Sequence, residues 1–133
     1  MRHVRHTEGL AHLIAAELVR KARALGEATV LSWHWYTSGD TKDDLLSLHG
    51  KDVVSVDLND APPGIPVDQQ VDNTRELPAS TGVIDVKTFL ASLEKIGFDG
   101  PIRAEPFNER VRQMAPEEAL GATMASLKKA FGG

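Results

Sequence analysis

The chain has no cysteine, no run of basic residues and no long apolar stretch, and each absence excludes a class of function. Without thiols it can form no disulfide, no cysteine nucleophile and no zinc site with Cys ligands. No segment approaches the ~20 apolar residues that a membrane span needs, so no membrane partner is expected. Because 15 basic residues stand against 19 acidic ones without a Lys or Arg cluster, no nucleic-acid partner is expected either.

Length and composition favour one soluble, globular domain. The 133 residues, 41% of them apolar, are enough to bury one core, and no low-complexity segment or second domain is evident. We therefore expect a single domain over residues 1–133. The N-terminal string M-R-H-V-R-H-T has no apolar segment behind it of the kind that a secretion signal carries, so a cytoplasmic location is expected.

Apolar spacing and helix-capping signals predict helices that alternate with strands along the chain. The predicted helices span residues 7–26, 41–50, 85–97 and 116–131, and the predicted strands span 28–33, 53–58 and 102–105. A helix followed by three β-α units indicates parallel strands joined by right-handed crossovers. The connection from 59 to 84 is rich in Pro, Asp, Gly and Asn, and a loop of that length is usually functional or disordered.

Side-chain alternation predicts which face of the sheet is polar. It places Asp57 on the inner face together with Val53, and Val54 on the outer face against the helices. In the last strand, Glu105 shares its face with Arg103. Because the carboxyl ends of parallel strands meet at one edge, we expect Asp57 and Glu105 to project into one shared pocket.

Three motifs fall where the predicted strands end. They are L-S-W-H-W-Y at 31–36, V-S-V-D-L-N-D-A-P at 54–62 and R-A-E-P-F-N at 103–108. Together with D-N-T-R-E-L-P at 72–78 and G-V-I-D at 82–85, they resemble the sugar phosphate isomerase/epimerase family of xylose isomerase-like TIM barrels. The resemblance runs from about residue 7 to the C-terminus and covers only the later strands of that barrel. It implies an α/β fold, a partial (β/α) TIM-type barrel with about three parallel strands and four main helices.

The resemblance also implies a chemistry. In that family two Glu, one Asp and one His hold a divalent ion such as Mn²⁺, Mg²⁺, Co²⁺ or Zn²⁺, which polarises a sugar carbonyl while the glutamates shuttle a proton through an enediolate. Here Glu105 matches one metal-binding and catalytic Glu, Asp57 stands at the His position, and Leu31 stands at the Asp position. The other Glu belongs to a strand that this chain lacks.

Two readings of the metal site stay open. A hard ion accepts Asp57 in place of imidazole, so Asp57 and Glu105 are the candidate metal ligands. Alternatively Arg103, which stands where the family has a small residue, pairs with one of these carboxylates, and an ion pair takes the place of the metal. The second reading implies a non-catalytic half-barrel that serves in binding or assembly.

Further candidates surround this pair, each with a structural alternative. His34 matches a sugar-facing residue and is the second catalytic candidate. Alternatively it caps a strand end or forms a hydrogen bond there. Trp35 stacks on a sugar ring or anchors the core. Arg75 grips a substrate phosphate or hydroxyl, or it pairs with Asp72 or Glu76 to hold the long loop.

Asn59 and Asp60 complete the set of predicted substrate contacts, at the rim just after Asp57. Their alternative is to start the turn before the Pro-rich loop. The expected ligand is a sugar or sugar phosphate. Because three strands leave sheet edges and an inner face uncovered, we expect a homo-oligomer or a complementing chain, unless the chain is a truncated form.

Overall fold

The structure is a computed structural model that describes residues 28–133, without the side chain of Ala28. The helix predicted over residues 7–26 lies outside the described residues. The strands are β1 (Ala28–Leu31), β2 (Val53–Leu58) and β3 (Ile102–Ala104). The helices are α1 (Ser32–Thr37), α2 (Lys42–Leu46), α3 (Val86–Lys95), α4 (Glu109–Arg112) and α5 (Pro116–Ala130). Short 3₁₀ turns lie at Gly50–Asp52, Val67–Gln69 and Asp72–Thr74.

The three strands form one sheet in the order β1-β2-β3, and both neighbouring pairs are parallel. The pairing aligns Leu31 with Asp57, and Asp57 with Arg103. The predicted succession of parallel strands is therefore confirmed. Parallel neighbours bring the carboxyl ends of all three strands to the same edge of the sheet.

The hydrophobic core lies between the sheet and its helices. Val56 and Leu58 of β2 are fully buried there against Phe89 and Leu93 of α3. These helix residues are four apart and share one face, which explains why α3 packs on the sheet. Burying each such side chain contributes about 1.5–3 kcal/mol. Within residues 28–133, no helix is long and apolar enough to cross a bilayer.

The predicted helix starts are confirmed at three places. Asp85 caps α3, because its carboxylate accepts the backbone N–H of Thr88 at 3.0 Å and the Thr88 hydroxyl at 2.7 Å. Thr41 precedes α2 and donates its backbone N–H to Asp44 at 2.7 Å. Pro116 occupies the first position of α5, where its missing N–H costs nothing.

Several predicted boundaries and facings were wrong. The first strand ends at Leu31 instead of residue 33, because Ser32 begins α1. Val53 belongs to the core whereas Val54 is 47% exposed, the reverse of the predicted facing. A 3₁₀ turn precedes β2 directly and the β1–β2 register shifts beside Val53, so simple alternation fails at that strand end. Helix α4, capped by the Asn108 side chain, was not predicted.

The long loop after β2 is tied down by one carboxylate. Asp60 is fully buried. Its Oδ1 accepts the backbone N–H groups of Ala61 and Ile84, both at 2.9 Å, and its Oδ2 accepts those of Thr81 at 3.0 Å and Gly82 at 2.8 Å. One side chain thus holds the beginning and the end of the loop together, which fixes the loop relative to the strand ends.

This arrangement predicts a large effect of Asp60→Asn. The amide NH₂ replaces an oxygen that accepts two backbone N–H groups, and leaving buried donors without a partner costs about 1–3 kcal/mol each. We expect the free energy of unfolding, measured by urea denaturation, to fall by about 3 kcal/mol. Asp68→Asn, at an exposed position of the same loop, is the control, with an effect within about 0.5 kcal/mol. Equal effects of the two substitutions would contradict this role of Asp60.

Candidate functional site

An ion pair connects β2 and β3 on the side of the sheet away from the core. Arg103 donates from Nε to Asp57 Oδ1 at 2.8 Å and from Nη2 to Asp57 Oδ2 at 3.1 Å. The Asp57 side chain is buried, whereas that of Arg103 is 64% exposed. Both oxygens of Asp57 are therefore engaged by one guanidinium, and the predicted pairing of Arg103 with one of the two carboxylates is confirmed.

Glu105 follows β3 and continues its pairing with β2. Its backbone N–H donates to the carbonyl of Leu58 at 2.9 Å. In the side chain, Oε1 accepts from Arg75 Nη1 at a long 3.4 Å. The other oxygen, Oε2, is buried and receives no hydrogen bond from the described residues. Glu105 thus presents one loosely held oxygen and one uncommitted oxygen.

The carboxyl group of Glu105 is close enough to that of Asp57 for the two to interact. Burial raises the pKa of Glu105 above its ordinary value, and the hydrogen bond to Asp57 and the negative charge of Asp57 raise it further. The charges of Arg75 and Arg103 lower it in part. A proton on Glu105 makes that carboxyl a donor toward Asp57, which is why the contact favours the protonated form. The two acidic groups therefore lie next to each other at one edge of the sheet, and the pocket that they are expected to share stays a prediction.

Arg75 lies buried at the centre of the site, with 4% of its side chain exposed. Its guanidinium carbon is 5.4 Å from the ring centroid of Trp33 and 4.7 Å from that of Phe107. Its Nη2 lies 3.5 Å from Asp72 Oδ1, and its Nη1 contacts Glu105. A guanidinium between two aromatic faces is stabilised by cation–π attraction. Of the partners predicted for Arg75, Asp72 is present.

The segment around Arg75 is anchored at two further points. Trp33 donates its indole N–H to Asp72 Oδ1 at 2.6 Å. Glu76, the other partner predicted for Arg75, instead accepts from Arg110 at 3.2 Å. The backbone of Glu76 also forms an antiparallel bridge with Asp60. These contacts hold the middle of the long loop over the ends of the strands.

Asn59 joins the ends of all three strands. Its Oδ1 accepts from the Ser32 hydroxyl and from the Trp33 backbone N–H, both at 2.7 Å, and its Nδ2 donates to the Glu105 carbonyl at 3.4 Å. Asn59, like Asp60, is fully buried. The polar atoms of both side chains form hydrogen bonds with protein groups, a structural role different from the predicted start of a turn. Their contact with a substrate stays a prediction.

His34 is exposed on α1 near Arg75. Partial burial lowers its pKa below the ordinary value, the positive charge of Arg75 lowers it further, and the charge of Asp72 opposes this. The imidazole is therefore biased toward its neutral form. A neutral imidazole can both donate and accept a hydrogen bond, which is what the predicted catalytic role of His34 requires.

Trp35 packs toward the core. Its ring lies 5.5 Å from that of Phe89 and tilted against it, and its indole N–H donates to the carbonyl of Thr41 at 2.9 Å. This placement matches the core-anchor alternative, and a sugar-stacking role stays a prediction. The aromatic groups that border the site are Trp33 and Phe107. Phe107 was missed as a site residue, although it stands two positions after Glu105 in the E-P-F-N motif.

The described residues do not fit a complete divalent-metal site. Asp57 and Glu105 are close together, but both oxygens of Asp57 already bind Arg103. Leu31 lies in register with Asp57 and brings no donor atom. From residue 28 to residue 133, no three His, Cys, Asp or Glu side chains are grouped so that they could hold an ion.

Sequence comparison identifies the family. The profile described as xylose isomerase-like TIM barrel matches residues 16–130, which is most of the chain. The chain therefore belongs to the family of xylose isomerase-like TIM barrels. The predicted resemblance and the predicted fold, a partial TIM-type barrel with three parallel strands, are both confirmed. A search of curated proteins gives no match.

Solved structures agree with this assignment. A xylose isomerase domain protein from Alicyclobacillus acidocaldarius is 33% identical and superposes with a TM-score of 0.69 over 80% of this chain. The IolI protein, whose crystal structure contains a bound zinc atom, is 23% identical with a TM-score of 0.72 over 78% of this chain. A xylose isomerase domain-containing protein from Salmonella typhimurium, 16% identical, has a TM-score of 0.71 over 79%.

The chain spans less than half of these solved proteins. It covers 37% of the Alicyclobacillus chain, 37% of the IolI chain and 39% of the Salmonella chain. The similarity therefore concerns one part of a barrel. The second glutamate that the resemblance implies has no counterpart among the described residues.

The position of Arg75 predicts how His34 titrates. We expect Arg75→Gln to raise the pKa of His34, because a positive charge that opposes protonation is removed. NMR titration of the His34 ring measures this, with Arg112→Gln, exposed on α4, as the control that leaves the pKa unchanged. No rise in Arg75→Gln would contradict the placement of that guanidinium.

The lowered pKa of His34 also has a consequence for stability. Because the unfolded chain takes up this proton at a higher pH than the folded chain does, the contribution of His34 to the free energy of unfolding decreases as pH falls through the ordinary histidine value. The decrease ends below the folded pKa.

Proposed function

We propose that this chain forms the C-terminal part of a sugar or sugar phosphate isomerase/epimerase site in which Glu105 transfers the proton. The observation that carries this proposal is the placement of the Glu105 carboxyl beside Asp57 and Arg75, at the carboxyl ends of adjacent parallel strands. In an α/β barrel this end holds the catalytic groups. Membership of the xylose isomerase-like family supports the same class of reaction.

The chemistry needs one carboxyl group that alternates between base and acid. Glu105 removes a proton from the carbon beside the sugar carbonyl, the C–H electron pair forms a C=C bond, and the carbonyl electrons move to oxygen to give an enediolate. Return of the proton to the neighbouring carbon, together with transfer of the hydroxyl proton from one enediolate oxygen to the other, isomerises the sugar. Epimerisation requires a second acid on the opposite face of the same carbon, which the described residues do not supply. Oε2 receives no hydrogen bond from the described residues, while Arg75 donates to Oε1, so Oε2 is the oxygen that carries the proton in this proposal.

A divalent ion, such as Mn²⁺, Mg²⁺, Co²⁺ or Zn²⁺, would need ligands from beyond residues 28–133. Asp57 and Glu105 alone make an incomplete set. The zinc of the IolI protein supports metal use in a relative. No step written above depends on an ion.

Of the remaining candidates, one contacts the substrate in this proposal and the others position the groups around it. His34, exposed and biased toward the neutral form, donates to a substrate hydroxyl from the rim. Arg75 acts on the substrate through Glu105, because it is almost fully buried. Asn59 and Asp60 hold the rim in place through the backbone, and Trp35 stiffens it from the core side.

A second function is favoured by a different observation. Arg103 satisfies both oxygens of Asp57, and Leu31 lies beside them. A site arranged in this way is stable without substrate or metal. The alternative is therefore a non-catalytic half-barrel that binds a sugar or serves in assembly, in agreement with the short span of the barrel that the chain covers.

Solvent-proton exchange separates the two functions. We expect deuterium from D₂O to enter an aldose, a ketose or one of their phosphates when the protein is present, measured by NMR with and without added Mn²⁺. Glu105→Gln should reduce the rate about 100-fold, since general acid–base groups contribute at least that much. Glu109→Gln, on exposed α4, is the control with an unchanged rate. Absence of exchange under every condition would contradict the catalytic proposal and leave the binding or assembly function.

The described sheet also predicts a partner. β1 and β3 are its two edge strands, and the polar face that carries Arg103 and Thr29 is exposed. Because open edges pair with other strands, we propose that a second copy or a complementing chain covers them. Light scattering should give a mass that is a multiple of the single chain, over a range of concentrations. A single-chain mass at every concentration would contradict assembly by copies and leave only a complementing chain.

A further inference from the structure

We infer that Arg103 supplies the permanent positive charge of this site, in the place where a divalent ion would sit, and that its free N–H groups bind an oxygen anion of the ligand. The binding of a substrate anion rests on the proposed function. The exclusion of metal by Arg103 does not, because it is measured with the ion alone.

The position of Arg103 is set by the sheet itself. Asp57 and Arg103 are direct partners in the parallel pairing of β2 with β3. Both side chains point to the face opposite the core, so the guanidinium fork reaches across the strands and meets the carboxylate with two hydrogen bonds, at 2.8 and 3.1 Å. Such a bidentate pair is both stronger and more specific in direction than a contact between point charges.

Arg103 is the cation that this pocket needs. Asp57 is buried beside the partly buried carboxyl of Glu105, and two neighbouring carboxylates without a cation repel each other. A divalent ion usually balances such a pair of charges. Here the guanidinium lies against Asp57 and near Glu105, so an ion would have to displace a bidentate salt bridge before it could bind.

The same guanidinium keeps donors free for a ligand. An arginine side chain has five N–H donors, and the two bonds to Asp57 use only part of them. The side chain is 64% exposed, so a ligand can approach it from outside. No other acceptor among the described residues binds it. Arginine stays charged at every working pH, so these donors are always available.

The geometry indicates the chemical class of ligand. A planar fork with outward donors suits a planar oxygen anion, such as a carboxylate or the enediolate that forms during proton transfer. Fixed donors aimed at developing charge are a main source of rate enhancement. Arg103 would then stabilise the enediolate oxygen while the neighbouring Glu105 carries the proton.

Calorimetric titration with Mn²⁺ tests the exclusion of metal. We expect no detectable binding by the unmodified protein, and weak but measurable binding in Arg103→Gln through the carboxylates of Asp57 and Glu105, with water completing the coordination. Arg110→Gln is the matched control, because Arg110 is also about two-thirds exposed and also pairs with a glutamate, Glu76. Tight binding of Mn²⁺ by the unmodified protein, or no gain in Arg103→Gln, would overturn the inference.

A second pair of variants guards against misfolding. Glutamine at position 103 still offers Asp57 a donor, and thermal unfolding checks that the variant is folded. If it is not, Arg103→Lys keeps the positive charge and should exclude Mn²⁺. The double variant Asp57→His with Arg103→Gln leaves no unpaired buried carboxylate at position 57, presents an imidazole and the Glu105 carboxylate, and should bind Mn²⁺ weakly. Equal Mn²⁺ affinity in these two variants would contradict the role of Arg103.

Titration with oxalate, a planar anion, in EDTA-containing buffer tests the ligand class. We expect binding by the unmodified protein, at least tenfold weaker in Arg103→Gln and unchanged in Arg110→Gln. No binding, or equal weakening in both variants, would overturn the anion site. If sugar exchange fails while Arg103→Gln gains Mn²⁺ and loses oxalate, the proposed function fails and this inference stands.

Discussion

The parallel pairing of β2 with β3 is the constraint on which the site depends. It places Asp57 opposite Arg103 and brings Glu105 beside them, so that charge on one strand is balanced by the next. A buried carboxylate without such a partner is strongly unfavourable. The observed strand order thus pairs the charges on the polar face, and on the other face it places Val56 and Leu58 in the core.

Two buried polar side chains, those of Asp60 and Arg75, connect the long loop to the sheet. Asp60 collects backbone N–H groups from both ends of the loop, and Arg75 connects its middle to Trp33 and Glu105. A connection of this length would otherwise lose much of its order to chain entropy. Fixing it in this way holds the guanidinium of Arg75 beside Glu105 and between the rings of Trp33 and Phe107. The site is thus assembled from three strand ends and one loop.

Much of this could be predicted from local sequence. The strand at 53–58 and the cap at Asp85 follow from alternation and capping chemistry, which act over short distances in the chain. The approach of Asp57 to Glu105 follows from the β-α-β order, which predicts parallel neighbouring strands. The environment of Arg75 could not be predicted in this way. Which of Asp72, Glu76 and Glu105 contacts its guanidinium depends on the conformation of a long loop. The predicted facing of Val54 was also wrong, because strict alternation of side chains does not allow for a register shift at a strand end.

The bidentate pair on β2 and β3 also determines how accurately these strands must align. Sliding β3 by one residue would exchange its two faces, so that the guanidinium of Arg103 would enter the apolar layer formed by Phe89 and Leu93 and leave Asp57 without a counterion. The misaligned form would thus bury two unpaired charges of opposite sign. The salt bridge therefore favours the observed register of β2 and β3 over a register shifted by one residue, independently of any ligand.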